Sequence, residues 1–127
     1  MKKEMLILGI GQAGGNIAEE LFKKDFNVFC VNSSTDDLDA LDIPENFKFH
    51  IANASGTAKN RDLSKQLAAG IAEELAQILN ERFKNFKYIH LVSSAGGGTG
   101  GGSIAAIAQY LSLVLEDRFI SMSVILP

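Results

Sequence analysis

The sequence predicts an α/β protein: one parallel five-stranded sheet in the order 3-2-1-4-5, with helices on both faces, making three layers. Three observations predict it. Five short apolar runs of strand length alternate along the chain with segments of helical periodicity. The first run, Met5-Leu6-Ile7-Leu8, is continuous rather than alternating, as in a strand covered on both sides. Glycine-rich stretches follow the first and fourth runs directly, and in an open parallel sheet such loops share the carboxyl edge, flanking the point where strand order reverses.

The elements follow in order. After the first strand comes Gly9-Ile10-Gly11-Gln12-Ala13-Gly14-Gly15-Asn16, then a helix whose apolar face is Ile17, Ala18, Leu21 and Phe22. It ends at Lys23-Lys24, two cations at the negative end of the helix dipole. Phe26 to Val31 is the second strand, closing in Asn32-Ser33-Ser34-Thr35. Asp36 to Asp42 reads as a short helix with Leu38 and Leu41 inward and its carboxylates in solvent, and no second ligand set makes it a metal site. Pro44 stops that helix, and Phe47 to Ile51 alternates like an edge strand. A small polar loop, Asn53 to Arg61, leads into a long helix with Leu63, Leu67, Ile71, Leu75 and Ile78/Leu79 as its buried stripe. Tyr88 to Val92 is the fourth strand, Ile104 to Leu111 a helix with almost no polar face, and Phe119 to Leu126 the fifth strand. Right-handed crossovers then give the parallel sheet.

Composition narrows the function classes. At 127 residues, 46% apolar and 21% charged, the chain reads as one globular domain, and no apolar run approaches the roughly 20 residues that cross a bilayer. The charged start is followed by too short an apolar segment for a signal peptide, so a cytoplasmic chain is expected. A net charge of −3 with no basic cluster argues against extensive direct contact with nucleic acid, so any DNA role needs an adaptor. Cys30 reads as a reduced, buried strand residue, and His50 and His90, without ligand-spaced partners, as structural histidines.

The chemistry lies in the loops. In Ser94-Ala95-Gly96-Gly97-Gly98-Thr99-Gly100-Gly101-Gly102, glycine fills six of the seven positions from Gly96. Each glycine in regular structure costs roughly 0.5–1 kcal/mol relative to alanine, so such a cluster points to backbone that must approach a ligand. Between a strand and a helix it sets bare N–H groups at a helix N-terminus, an anion site suited to phosphate. Gly9, Gly11 and Gly14 also satisfy G-x-G-x-x-G, which leaves an NAD-binding Rossmann oxidoreductase open as an alternative. That fold holds the ribose with an acid at the end of the second strand, where this chain has Asn32-Ser33, with Asp36 and Asp37 a few residues late. Ser55-Gly56-Thr57 has hydroxyls for a terminal phosphate, with Lys59 or Arg61 as charge, and a solvated loop capped by Asn60 is the competing reading. Two phosphate loops converging on one edge fit a nucleoside di- or triphosphate. No G-x-x-x-x-G-K-[ST] occurs, so backbone amides, two helix N-termini and a bound Mg²⁺ would offset the phosphate charge.

Gly96 to Gly102, with Gly11 to Asn16 upstream, resembles the tubulin/FtsZ superfamily. Val31-Asn32-Ser33-Ser34 and Gly56-Thr57-Ala58-Lys59-Asn60-Arg61-Asp62 look closest to the TubZ-like proteins of plasmids and phages. The resemblance implies a Rossmann-like domain binding GTP or GDP with Mg²⁺. By it, Gly11, Gln12, Ala13, Gly14, Gly15 and Asn16 hold the α- and β-phosphates, with Gln12 near phosphate or metal and Asn16 toward the nucleoside. Asn32 and Ser33 lie near the metal-phosphate cluster, Ser55, Gly56 and Thr57 sense the γ-phosphate, and Ala95, Gly96, Gly97, Gly98, Thr99, Gly100, Gly101 and Gly102 wrap the phosphates. Gly101 departs from the Ser, Ala or Thr usual there. The family continues with a ribose loop, a central helix, an acidic catalytic loop and a second domain. Residues 1–127 are therefore expected to be the N-terminal part of a polymerising GTPase for plasmid or phage DNA, assembling head-to-tail and reaching DNA through an adaptor. No catalytic residue is assigned, and the chain alone is expected not to hydrolyse GTP efficiently. An FtsZ-type division GTPase and a non-hydrolysing assembly module are the remaining alternatives.

Overall fold

The computed structural model of the chain describes residues 2–32, 34–51, 61–94 and 104–125. In chain order the elements are β1 (Met5–Ile10), α1 (Gly11–Phe22), β2 (Asn27–Asn32), α2 (Thr35–Asp39), β3 (Lys48–His50), α3 (Arg61–Arg82), β4 (Tyr88–Ser94), α4 (Ile104–Val114) and β5 (Phe119–Ile125). The sheet runs β3-β2-β1-β4-β5, every pairing parallel, which is the predicted order.

β1 is central because it alone is apolar on both faces along its whole length, and Leu6 and Leu8 are fully buried. Leu6, Leu8 and Ile10 join Phe29, Val31, Ile89 and Leu91 in a core closed by α3 and α4. Ile7, Val28, Cys30 and Val92 face the other way, against Ala18 of α1 and Leu38 of α2. Burial pushes the Cys30 thiol up to about 12, so it stays protonated and inert at neutral pH.

The predicted stripes of α3 and α4 hold where they are described, and in α1 Ala18 is buried with Leu21 and Phe22 half-buried, but Ile17, predicted on the same face, is 37% exposed. Ile71, Leu75 and Leu79 of α3 are buried, together with Ala72 and Ala76, while the side chains of Leu63 and Leu67 lie outside the described residues. In α4, Ile104, Ile107 and Leu111 point inward. The short helix α2 is capped by Ser34, whose Oγ accepts from the Asp37 amide at 3.1 Å, and Leu38 and Leu41 are buried beneath exposed Asp36 and Asp39. β3 is shorter than expected, because a 3-10 turn over Glu45–Phe47 takes up its start.

The first helix differs at its start from its sequence reading. Its predicted glycine loop is largely absent: β1 runs through Gly9 and Ile10, and α1 begins at Gly11. At the other end the helix closes at the predicted lysines, with Phe22 its last residue and Lys23 its C-cap. The Phe26 amide donates to Leu21 O and the Asp25 amide to Phe22 O, a Schellman pair that puts Asp25 at φ 70°, a position usually taken by glycine.

One buried cation ties the far ends of the elements together. Arg118, 8% exposed, donates from Nη1 to Phe83 O and Phe86 O and from Nη2 to Leu79 O, closing the C-terminal end of α3 onto the chain that enters β5. Among the described residues its Nε has no hydrogen-bond partner, and the Asp117 carboxylate lies 3.8 Å away. His90 performs a similar task between strands, with Nδ1 2.7 Å from Ser121 Oγ and Nε2 2.8 Å from Ser123 Oγ. Desolvation holds its pKa below 6.5.

Arg118→Met is expected to lower unfolding free energy by roughly 2–3 kcal/mol, because three carbonyls lose a charged donor; urea denaturation reads it. For His90 the folded chain binds fewer protons than the unfolded one below pH 6.5. Stability is therefore present above that pH and falls as pH drops toward the folded pKa. Denaturation midpoints across this window are expected to show the slope, and His90→Gln to remove it.

Candidate functional site

Strand order reverses at β1, which sends its chain through α1 to β2 on one side and pairs with β4 on the other. Ligands of open parallel sheets bind above this point, beyond the carboxyl ends of the strands. The turn is made by a single residue: Ile10 is extended at φ −115° and ψ 126°, Gly11 takes φ 79°, and the helix has begun. The N-cap residue, Ile10, makes no side-chain cap bond and no acid stands in the first turn, so the first amides carry the positive end of a 12-residue helix.

The helix start is pressed against the sheet. A Cβ on Gly14 would lie 2.2 Å from Val92 O, and one on Gly9 would lie 2.6 Å from Gly14 O. Backbone therefore meets backbone at both points, and no residue larger than glycine fits without moving α1. Gly15 is bounded by Leu41, whose Cδ1 a Cβ would approach to 3.2 Å. Around this buried seam Gln12 and Asn16 are exposed, one turn apart on the same helix face, and Gly11 and Ala13 are half-buried.

Asn32 ends β2 beside this turn, since Ile10 pairs with Val31. It is 5% exposed; its Oδ1 accepts from the Ser34 amide at 3.0 Å and its backbone O from the Ile51 amide at 2.9 Å. The structure thus brings Gly11, Gln12, Ala13, Gly14, Gly15, Asn16 and Asn32 together on one edge, where β3 and β4 also end. Ser33, Ser55, Gly56, Thr57, Ala95 and Gly96 to Gly102 lie outside the described residues.

Among the described residues, no group of three or more His, Cys, Asp or Glu could hold a metal ion. A cavity of about 200 Å³ lined by Thr35, Leu38, Asp39, Glu45, Lys48 and His50 opens between α2 and β3 and includes none of the predicted site residues. Also among the described residues, no helix is long and apolar enough to cross a membrane. Sequence reasoning missed Val92 and Leu41, which shape the seam through contacts between distant segments, and no local pattern marks either.

Comparison with known proteins agrees with this geometry. Residues 4–127 match the tubulin/FtsZ family, GTPase domain. The tubulin-like protein TubZ of Clostridium botulinum C phage is 28% identical over 129 residues, covering 100% of this chain and 36% of its own length. CetZ of Pyrococcus abyssi is 27% identical, covering 91% of this chain and 33% of its own. Among solved structures, a tail-truncated TubZ of Clostridium botulinum phage c-st superposes with a TM-score of 0.85 at 27% identity, covering 99% of this chain and 42% of that one. A protofilament of TubZ from bacteriophage PhiKZ shares the fold, with a TM-score of 0.67 at 20% identity over 95% of this chain and 37% of that one. The chain thus spans about a third of the curated relatives' length.

Gly14→Ala is expected to cost roughly 1–3 kcal/mol by overpacking against Val92 O, whereas Gln12→Ala, at an exposed position, should stay within about 0.5 kcal/mol of the parent in the same urea titration. Equal costs would contradict the seam.

Proposed function

The chain belongs to the tubulin/FtsZ family, GTPase domain, and from that premise we propose that it forms the phosphate-binding part of a guanine-nucleotide site within a longer polymerising GTPase. The observation that carries this reading is the uncapped, glycine-built start of α1 at the reversal of strand order, with Gln12 and Asn16 exposed beside it. In this proposal the amides of Gly11 to Gly15 hold the α- and β-phosphates and Asn16 faces the nucleoside. Asn32 and Ser33 border the metal-phosphate cluster, Ser55, Gly56 and Thr57 meet the γ-phosphate, and Ala95 to Gly102 wrap the group from the β4 side. Bound Mg²⁺ would neutralise phosphate charge.

No residue here is assigned to orient the attacking water, so efficient hydrolysis would need groups from elsewhere in the longer protein or from a neighbouring subunit. Head-to-tail assembly follows by analogy with the phage TubZ solved as a protofilament. Movement of plasmid or phage DNA through an adaptor is the finer role we assign, in keeping with the match to a phage TubZ. An FtsZ-type division GTPase and a non-hydrolysing assembly module are the alternatives to that role.

The NAD-binding alternative is disfavoured by one detail. Where such a site needs a carboxylate for the ribose, Asn32 stands with its Oδ1 committed to the Ser34 amide. Calorimetric titration of the chain separates the two. Guanine nucleotide is expected to bind, NADH not to bind, and Gln12→Ala and Asn16→Ala each to weaken the nucleotide about tenfold, the loss of roughly one hydrogen bond to a charged group, with thermal stability unchanged. NADH binding without guanine-nucleotide binding would overturn the proposal.

A further inference from the structure

Asn32 is buried at the end of an apolar strand, and its hydrogen bonds lead to the elements that border the candidate site. The four residues before it in β2, Val28-Phe29-Cys30-Val31, are buried core residues, and Asn32 is itself 5% exposed. A buried amide whose oxygen finds no donor costs about 1–3 kcal/mol, so an asparagine suits this position only where that oxygen is bonded. Its Oδ1 accepts from the Ser34 amide at 3.0 Å, the local turn by which an asparagine ends a strand and redirects the chain.

The consequences run along α2. Ser34, so held, accepts at its Oγ from the Asp37 amide and at its backbone O from the Leu38 amide at 3.2 Å, which fixes where α2 begins. Just beyond α2 the Leu41 amide donates to Leu38 O, and both leucines are buried on the α1 side of the sheet. Leu41 bounds Gly15 in the early turns of α1, so a path of contacts joins Asn32 to the start of that helix. Glu19 of α1 fastens the same link further on, its carboxylate accepting from the Asp42 amide. In the other direction the backbone O of Asn32 accepts from the Ile51 amide, one residue beyond β3.

We infer that Asn32 is a positioning residue of the candidate site: it sets the start of α1 through Ser34, α2 and the contact of Leu41 with Gly15, and does not itself touch the ligand. With Oδ1 bonded and its side chain buried, Asn32 offers little to a ligand, whereas Gln12 and Asn16 stand exposed on α1. The path is sensitive at its far end, since a Cβ on Gly15 would already lie 3.2 Å from Leu41 Cδ1. A shift of Leu41 therefore reaches the backbone that carries the first amides of α1. The inference rests on the proposed nucleotide reading for what the site binds; the path itself consists of contacts within the chain.

The test joins the free chain to its titration with GDP. In the free chain, Asn32→Ala is expected to speed hydrogen exchange at the Ser34 and Asp37 amides and to shift the amide signal of Gly15, with circular dichroism that of the parent. Asn32→Ser keeps a side-chain oxygen able to accept from residue 34 and should restore much of the Gly15 signal. Ser34→Ala, which removes only the cap on α2, gives the same free-chain readout if Asn32→Ala does not fold. With GDP, Asn32→Ala should weaken binding roughly two- to tenfold, the worth of about one neutral hydrogen bond, and Asn32→Ser less. Ser34→Ala should weaken it too, and the two losses should fall short of adding in the double variant, because both act through one path. In the parent, the side-chain amide signal of Asn32 should move little as GDP binds. A side-chain signal that moves as far as the α1 amides, or losses that add, would overturn the inference, as would a Gly15 signal unmoved in the folded variants. A parent chain that binds no GDP would sink the nucleotide reading instead, and the free-chain measurements then decide the path by themselves.

Discussion

The contact on which the rest of the site depends is between two stretches of bare backbone, where Gly14 in the first turn of α1 presses on the carbonyl of Val92 in β4. β1 and β4 are neighbours through their register, so this contact fixes both the height and the tilt of α1 over the sheet. Because Gly9 meets Gly14 from below, the helix cannot slide along β1 either. Gly11 then turns the chain in one step, and the first amides of α1 emerge at a set position above the strand ends. Preorganised amides are worth most when they need not move to meet charge. In this chain a glycine seam does the positioning that a bonded side chain does elsewhere.

This arrangement answers the electrostatic problem raised by the glycine loops, neither of which contains a lysine. A lysine offers a point charge on a flexible stem, whereas a helix start offers several fixed N–H dipoles. The latter suits a site whose ligand must be read by shape and released again. A buried cation serves elsewhere: Arg118 closes the C-terminal end of α3, far from the strand ends that border the candidate site. Charge thus serves architecture at one end of the sheet, and dipoles serve the candidate site at the other.

Much of this was legible in the residues. Continuous apolar runs such as Met5 to Leu8 announce strands buried on both faces, and alternating strands and helices allow few topologies, so the strand order followed. The start of α1 was not legible, because a run of glycines reads as loop unless one knows that Val92 will lie against it, and that contact spans most of the chain. Arg118 and His90 were silent for the same reason, their partners lying some thirty or more residues away. In the candidate site, the residue types lead to the expectation of phosphate. Which glycines face a ligand and which are needed for packing depends on pairing between distant strands, and Gly14 and Gly15 turned out to be buried.

The central claim is that the first amides of α1 receive phosphate. A ¹H–¹⁵N correlation spectrum of the chain titrated with GDP tests it most directly. The account predicts saturable shifts that are largest at the backbone amides of Gly11 to Gly15. Saturable GDP binding that leaves those amides unmoved, or no binding at all, would contradict it.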